Sequence, residues 1–199
     1  DGLPDILVAS KYSRVSYFQN IGNKTFSPEI VIENMMNGVE KVWALDMDGD
    51  GDNDILTHNY DKLIWYERAN SSGVRSMRHV INENDYLYNI GFVFPADVNG
   101  DGLMDVFTSW GQSGNISWFQ QEPETKQFSK QGIAPHIING PVVLNATDVD
   151  GDGQNDLISA SYLDNKIAWF KNEMVPEFSA QPNDAAICQS GQATFMSSM

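Results

Sequence analysis

One cysteine, Cys188, is the whole disulfide capacity of this 199-residue chain. No disulfide can form within it, and neither a Cys-x-x-Cys pair nor a Cys/His zinc set exists. Histidine is nearly as scarce, and His58, His79 and His136 stand at unrelated places. The chain has no Gly-x-Ser-x-Gly elbow, no phosphate-binding glycine loop and no His-Glu-x-x-His. With the parts of nucleophilic, phosphoryl-transfer and zinc catalysis missing, the expectation is a protein that is not an enzyme. Long apolar runs are missing too. The longest uncharged stretch, Gln131 to Thr147, carries two Pro and two Gly and cannot be a transmembrane helix. Positive charge is the other shortage: 12 basic residues against 27 acidic give a net charge of −15. Such a chain repels phosphate backbones and anionic lipids, which excludes nucleic acid and membrane surfaces as partners. The opening Asp1-Gly2-Leu3-Pro4-Asp5 has neither an initiator Met nor a signal peptide, so a fragment of a longer chain is expected.

What the chain does have is a repeat. Asp46-Met47-Asp48-Gly49-Asp50-Gly51-Asp52-Asn53-Asp54 recurs as Asp97-Val98-Asn99-Gly100-Asp101-Gly102-Leu103-Met104-Asp105 and as Asp148-Val149-Asp150-Gly151-Asp152-Gly153-Gln154-Asn155-Asp156. The copies begin 51 residues apart, and Asp1 to Asp5 is the back half of a fourth. Each final Asp opens a short apolar run. About a dozen residues later comes an aromatic step: Tyr17-Phe18, Trp65-Tyr66, Trp118-Phe119 and Trp169-Phe170. Alternation, aromatics and β-branched residues bounded by Gly, Asn and Asp read as strands, and no segment keeps a helical period. Four strands in about 50 residues make a propeller blade. The predicted fold is an all-β β-propeller of two complete and two partial blade units. Its strands number about fourteen, divided three, four, four and three, with the acidic loops between first and second strands.

The Asp-x-Asp-Gly-Asp-Gly-x-x-Asp loop, the strand after it and the Ile167-Ala168-Trp169-Phe170-Lys171-Asn172 step resemble the FG-GAP/VCBS repeats of secreted bacterial proteins. The head of the integrin α-subunit is similar. The resemblance covers roughly Asp1 to Asn172 and implies a β-propeller. Residues 1–173 are accordingly assigned to blades of a partial ring and 174–199 to a separate tail. The tail, from Pro176 through Cys188 to Phe195, resembles the opening strands of a PKD/Ig-like module. Its Ser, Pro and Gln content fits a disordered linker equally well.

The acidic loops have the chemistry of a hard-cation site. Ca²⁺ takes six to eight oxygens in a flexible shell. A nine-residue loop can wrap one ion with side chains at positions 1, 3, 5 and 9 and a backbone carbonyl at 7. The expected ligands are Asp46, Asp48, Asp50, Asp54 and the carbonyl of Asp52; Asp97, Asn99, Asp101, Asp105 and that of Leu103; and Asp148, Asp150, Asp152, Asp156 and that of Gln154. Glycines at positions 4 and 6 let the backbone turn with positive φ. An EF-hand needs Glu at position 12, where this chain has Thr57, Thr108 and Ser159. Three structural Ca²⁺ ions would change the charge from −15 to −9 (−15 + 6). Weak sites of this kind fill outside the cell, so a secreted or cell-surface location is expected. On ligand charge alone, the middle site, with Asn99, is expected to bind less tightly than the others.

The aromatic steps, repeated at one strand position, are expected to pack the core. A second aromatic set follows the second strand of each unit: Tyr12, Tyr60, Trp110 and Tyr162. In an up-and-down blade these lie at the face opposite the acidic loops, and Asn59, Asp61, Asn115, Asp164 and Asn165 fall near them. Such a rim would suit a carbohydrate or a protein loop. The resulting expectation is an extracellular binding or adhesion module for carbohydrate or protein ligands. The alternative is a non-catalytic accessory or scaffold region of a larger polysaccharide-active enzyme.

Overall fold

The structure, a computed structural model, describes residues 2–11, 14–34, 38–39, 41–59, 62–68, 76–82, 90–110, 115–132, 141–172 and 178–186. For 76, 90, 110, 132, 141–142 and 178–186 it describes the backbone only. All regular structure among them is β, as expected, and the residues fall into two compact units, Asp1–Tyr88 and Asn89–Met199.

The first unit opens with β1 (Ile6–Ser10), β2 (Arg14–Phe18), the short β3 (Asn20–Gly22) and β4 (Thr25–Phe26), and β5 (Ile30–Asn34). β1, β2 and β5 form one antiparallel sheet, and β3 and β4 form a separate hairpin. That hairpin was not expected from the sequence. Its turn residues Asn23 and Lys24 both have positive φ, 52° and 61°, the backbone of a type I′ turn. The unit continues with β6 (Lys41–Leu45), β7 (Asp54–His58), β8 (Leu63–Arg68) and β9 (Ser76–Asn82), paired in that order.

The second unit repeats the pattern twice. β10 (Ile90–Ala96), β11 (Asp105–Trp110), β12 (Ile116–Gln121) and β13 (Phe128–Gly132) form one antiparallel sheet. β14 (Pro141–Thr147), β15 (Asp156–Ser161), β16 (Lys166–Asn172) and β17 (Phe178–Ala186) form the other. The described residues therefore hold seventeen strands, not about fourteen. The last sheet gains its fourth strand from residues that the sequence reading gave to the tail, with Asn172 pairing Phe178 and Ile167 pairing Ala185. The remaining tail residues, Cys188 included, lie outside the described residues, as does His136.

The aromatic steps pack the core in part: Tyr17, Phe18 and Trp169 are only half-buried. Trp65 is fully buried, Tyr66, Trp118, Phe119 and Phe170 nearly so. Successive side chains on a strand point to opposite faces, so the burial of both Trp65 and Tyr66, and of both Trp118 and Phe119, means that both faces of these sheets are covered there. In the first unit Ile64 and Tyr66 pack with Val15 and Val39. In the second unit Phe107 and Trp118 stack at 6.2 Å, in a cluster with Val98, Leu144, Leu157 and Phe170.

His58 closes β7 opposite Lys41 and is 3% exposed. Desolvation lowers its pKa to about 4, with the Lys41 charge acting in the same direction. The unfolded chain takes up a proton near 6.5, which the folded chain refuses until about 4. His58 therefore contributes stability that is complete above 6.5 and is lost as pH falls towards 4. Between pH 7 and 4 the wild type should lose on the order of 2–3 kcal/mol more than His58→Gln, measured by urea unfolding. Parallel profiles for the two proteins would refute a neutral, buried His58.

Candidate metal centres

Each acidic loop is built by its own backbone. The first carboxylate accepts two glycine N–H groups: Asp46 from Gly49 at 2.8 Å and Gly51 at 2.9 Å, Asp97 from Gly100 and Gly102 at 2.8 and 3.0 Å, Asp148 from Gly151 and Gly153 at 2.7 and 3.0 Å. Position 3 accepts from the N–H of position 5: Asp48 from Asp50, Asn99 from Asp101, Asp150 from Asp152. Position 5 accepts from position 7: Asp50 from Asp52, Asp101 from Leu103, Asp152 from Gln154. Short Asp and Asn side chains bonding to nearby N–H groups are what wind the segment into a turn. The second glycine of each loop has φ of +87° to +89°, and a Cβ there would meet nothing within 4 Å. Backbone conformation, not space, requires glycine at that point.

This winding turns the carboxylates of positions 1, 3 and 5 towards one point. Ligand oxygens of Asp46, Asp48 and Asp50 lie within 4.8 Å of one another, and so do those of Asp148, Asp150 and Asp152. Two oxygens on opposite sides of one Ca²⁺ stand about 4.6–5.2 Å apart, so each trio fits around a single ion of that size. In the middle loop Asn99 holds the equivalent place. Its amide donates to Asp101 Oδ2 at 2.9 Å, so one oxygen of that carboxylate is already engaged.

Position 9 does something the sequence reading did not anticipate. Asp54, Asp105 and Asp156 are buried at the start of β7, β11 and β15. Each accepts the N–H of a residue at the far end of the third strand: Asp54 from Arg68 at 2.8 Å, Asp105 from Gln121 at 2.9 Å, Asp156 from Asn172 at 2.8 Å. Asp5, in the half-motif, is exposed and accepts the N–H of Asn20, just past the end of β2, at 2.7 Å. Asp54 and Asp156 also accept the N–H of position 2 in their loops, Met47 and Val149, each at 3.2 Å. The clue in the sequence was the near-constant spacing of 14 to 16 residues between these partners. Burial pushes the Asp54 carboxyl up to about 6 and the Asp105 carboxyl up to about 7, against the pull of their backbone donors. A cation beside either would favour the ionised form.

Two features set the last loop apart. Lys171 on β16 donates to Asp150 Oδ2 and reaches Asp152 Oδ2 at 3.3 Å. Its hydrogen bond holds Asp150 below the ordinary carboxylate range, and Lys171 is raised in turn. The loop is also tied to the middle one. Asn155 Nδ2 donates to the carbonyl of Asp97 at 3.3 Å, and Asn172 Nδ2 to that of Val98 at 2.8 Å.

The rim is less fully in view. Tyr162 is 59% exposed on the β15–β16 turn, at the end of its sheet away from the 148–156 loop. Trp110 ends β11, paired with Ile90, and is described by its backbone only. Tyr12, Tyr60 and Asp61 lie outside the described residues. Asn59 is buried rather than presented: its Oδ1 accepts the Lys62 N–H at 2.7 Å and closes the β7–β8 turn. Asp164 accepts the Ser161 hydroxyl within the turn that carries Tyr162.

The model of the FG-GAP-like repeat matches residues 1–57, 46–108 and 97–159. No curated relative matches the chain. Among solved structures, a chain of the Photorhabdus luminescens Tc holotoxin pore aligns with a TM-score of 0.52 at 17% identity, over 84% of this chain and 8% of that one. That likeness bears on the fold alone, and the present chain spans under a tenth of the neighbour's length.

Asn172 tests the tie between loops. Its side chain is nearly buried and donates both to Val98 and to the carbonyl of Asn155 at 3.3 Å. Asn172→Ala should cost about 1–3 kcal/mol in urea unfolding, because the carbonyl of buried Val98 loses its donor. Asn20 is only partly buried; its side chain donates to the Pro4 carbonyl at 3.1 Å and accepts the Gly22 N–H at 3.0 Å in a more exposed setting, so Asn20→Ala should cost less. Equal costs would show that the bond to Val98 adds nothing.

Proposed function

The chain belongs to the FG-GAP-like repeat family, and from that premise we propose that it is a calcium-stabilised, extracellular β-propeller segment that serves a larger protein as a binding or adhesion module for carbohydrate or protein ligands. The observation that carries the reading is the convergence of three carboxylates on one point in the first and last loops, with the same backbone winding in the middle one. Left without a counter-charge, such clusters repel across a few ångströms and would splay the turn between first and second strands. A divalent cation held by the side chains at positions 1, 3, 5 and 9 removes that repulsion.

Repeats of this family are generally non-catalytic, which favours binding over chemistry. No helix among the described residues is long and apolar enough to cross a membrane. Calcium at extracellular concentrations fills sites with dissociation constants as weak as about 10⁻⁴–10⁻³ M, which supports work outside the cell. The ligand face in this reading is the end of the sheets opposite the acidic loops, where Tyr162 is presented.

Calcium should stabilise the native chain by about 2.7 kcal/mol per site at a hundredfold excess over the dissociation constant. Calorimetry with calcium and with chelator should separate the two melting curves by many degrees, and Mg²⁺ should restore little of the difference. Coincident curves from protein with no bound calcium would end the metal reading.

Tyr162→Ala should leave stability within about 0.5 kcal/mol, as for other exposed positions. On glycan and protein arrays it should weaken whatever the wild type captures. Unchanged capture would remove Tyr162 from the ligand face.

A further inference from the structure

The aromatic strands β2, β8, β12 and β16 share one register with the strand before them. Phe18 pairs Ile6, Tyr66 pairs Ile55, Phe119 pairs Val106 and Phe170 pairs Leu157, so the next residue occupies the same place in each. That residue is Gln19, Glu67, Gln120 and Lys171. Only in the last sheet is it a cation, and there its ammonium group bridges the carboxylates at positions 3 and 5 of the acidic loop. Glu67, by contrast, pairs with His79 at 2.7 Å on the neighbouring strand.

We propose that Lys171 is a built-in counter-ion of the 148–156 loop that competes with calcium, making this the weakest of the three sites and the one that responds to changes in calcium level. The inference rests on the calcium reading above. The last loop has four carboxylates at its side-chain positions, and Lys171 brings their sum from −4 to −3, equal to the three carboxylates of the middle loop. Charge count alone no longer puts the middle loop last. The last loop carries a further handicap, because calcium must break the contacts of Lys171 with Asp150 and Asp152 and then tolerate the ammonium nearby. Lys171 is 27% exposed, so the displaced group has water to move into. The ion pair thus keeps the turn wound at low calcium and yields at high calcium, a role that neither Gln120 nor Glu67 can take.

Each loop has its own reporters, the amides of Gly49 and Gly51, Gly100 and Gly102, Gly151 and Gly153. A calcium titration of the whole chain followed by ¹⁵N–¹H correlation spectra reads the three sites separately. In the wild type the Gly151 and Gly153 signals should shift last. Lys171→Met should move their midpoint to about tenfold lower calcium and leave the other two loops unchanged. Lys171→Arg, which keeps the charge, should stay within about threefold of the wild type. If calcium binds but the Gly151 and Gly153 midpoint is the same in wild type and Lys171→Met, the competition does not exist and the inference fails alone. If no loop responds to calcium in any of the proteins, the calcium reading fails and takes this inference with it.

Discussion

The carboxylate at the start of each second strand is the contact on which the rest of each sheet depends. A β-sheet pairs the bodies of its strands, but where two strands part, the last N–H groups need an acceptor from elsewhere. Asp54, Asp105 and Asp156 supply it, each taking the N–H at the far end of the third strand, and Asp5 takes that of Asn20 just past the end of β2. In two copies the same carboxylate also holds the N–H of loop position 2. One buried side chain therefore ties together a loop, the strand it enters and the strand beyond.

The same residue sets the electrostatic problem that the loop must solve. Burial raises the pKa of Asp54 and Asp105, so their charge at neutral pH is held against a desolvation penalty. The backbone adds to it by winding positions 1, 3 and 5 into a cluster of like charge. The glycine N–H groups around the first carboxylate carry only partial positive charge. Acidic loops wound this way are consistent with a cation partner, and the last loop shows a second solution, a lysine drawn from its own sheet.

Much of this was legible beforehand because it is periodic. The 51-residue spacing, the strand that follows each loop, the buried aromatic step and the positive φ of the loop glycines all follow from residue types recurring at fixed intervals. What escaped notice was local or singular. The β3–β4 hairpin has its signal in Gly22-Asn23-Lys24-Thr25, but it occurs outside the repeating frame. β17 is rich in Gln, Pro, Asn and Asp, a composition that argues against a strand, yet it pairs with the free edge of β16. Asn59 looked like a rim residue because polar loop residues are usually exposed; here it is consumed in closing its own turn. Lys171 could not be singled out by pattern, since its neighbours in the repeat have Gln and Glu in its place.

Repetition and divergence divide the work between them. The frame fixes where a side chain sits: the residue after the aromatic step always follows the strand position that pairs with the start of the second strand. Because that geometry is constant, a change of residue there alters charge without altering the fold. Position 2 of the loop shows the same division. Met47 and Val98 are buried, whereas Val149 is 41% exposed at the same point of the same turn. The backbone winding survives in all three, since it depends on short Asp or Asn side chains and on Gly. The packing under each loop and the charge beside it are then free to differ, so identical loops need not be equivalent sites.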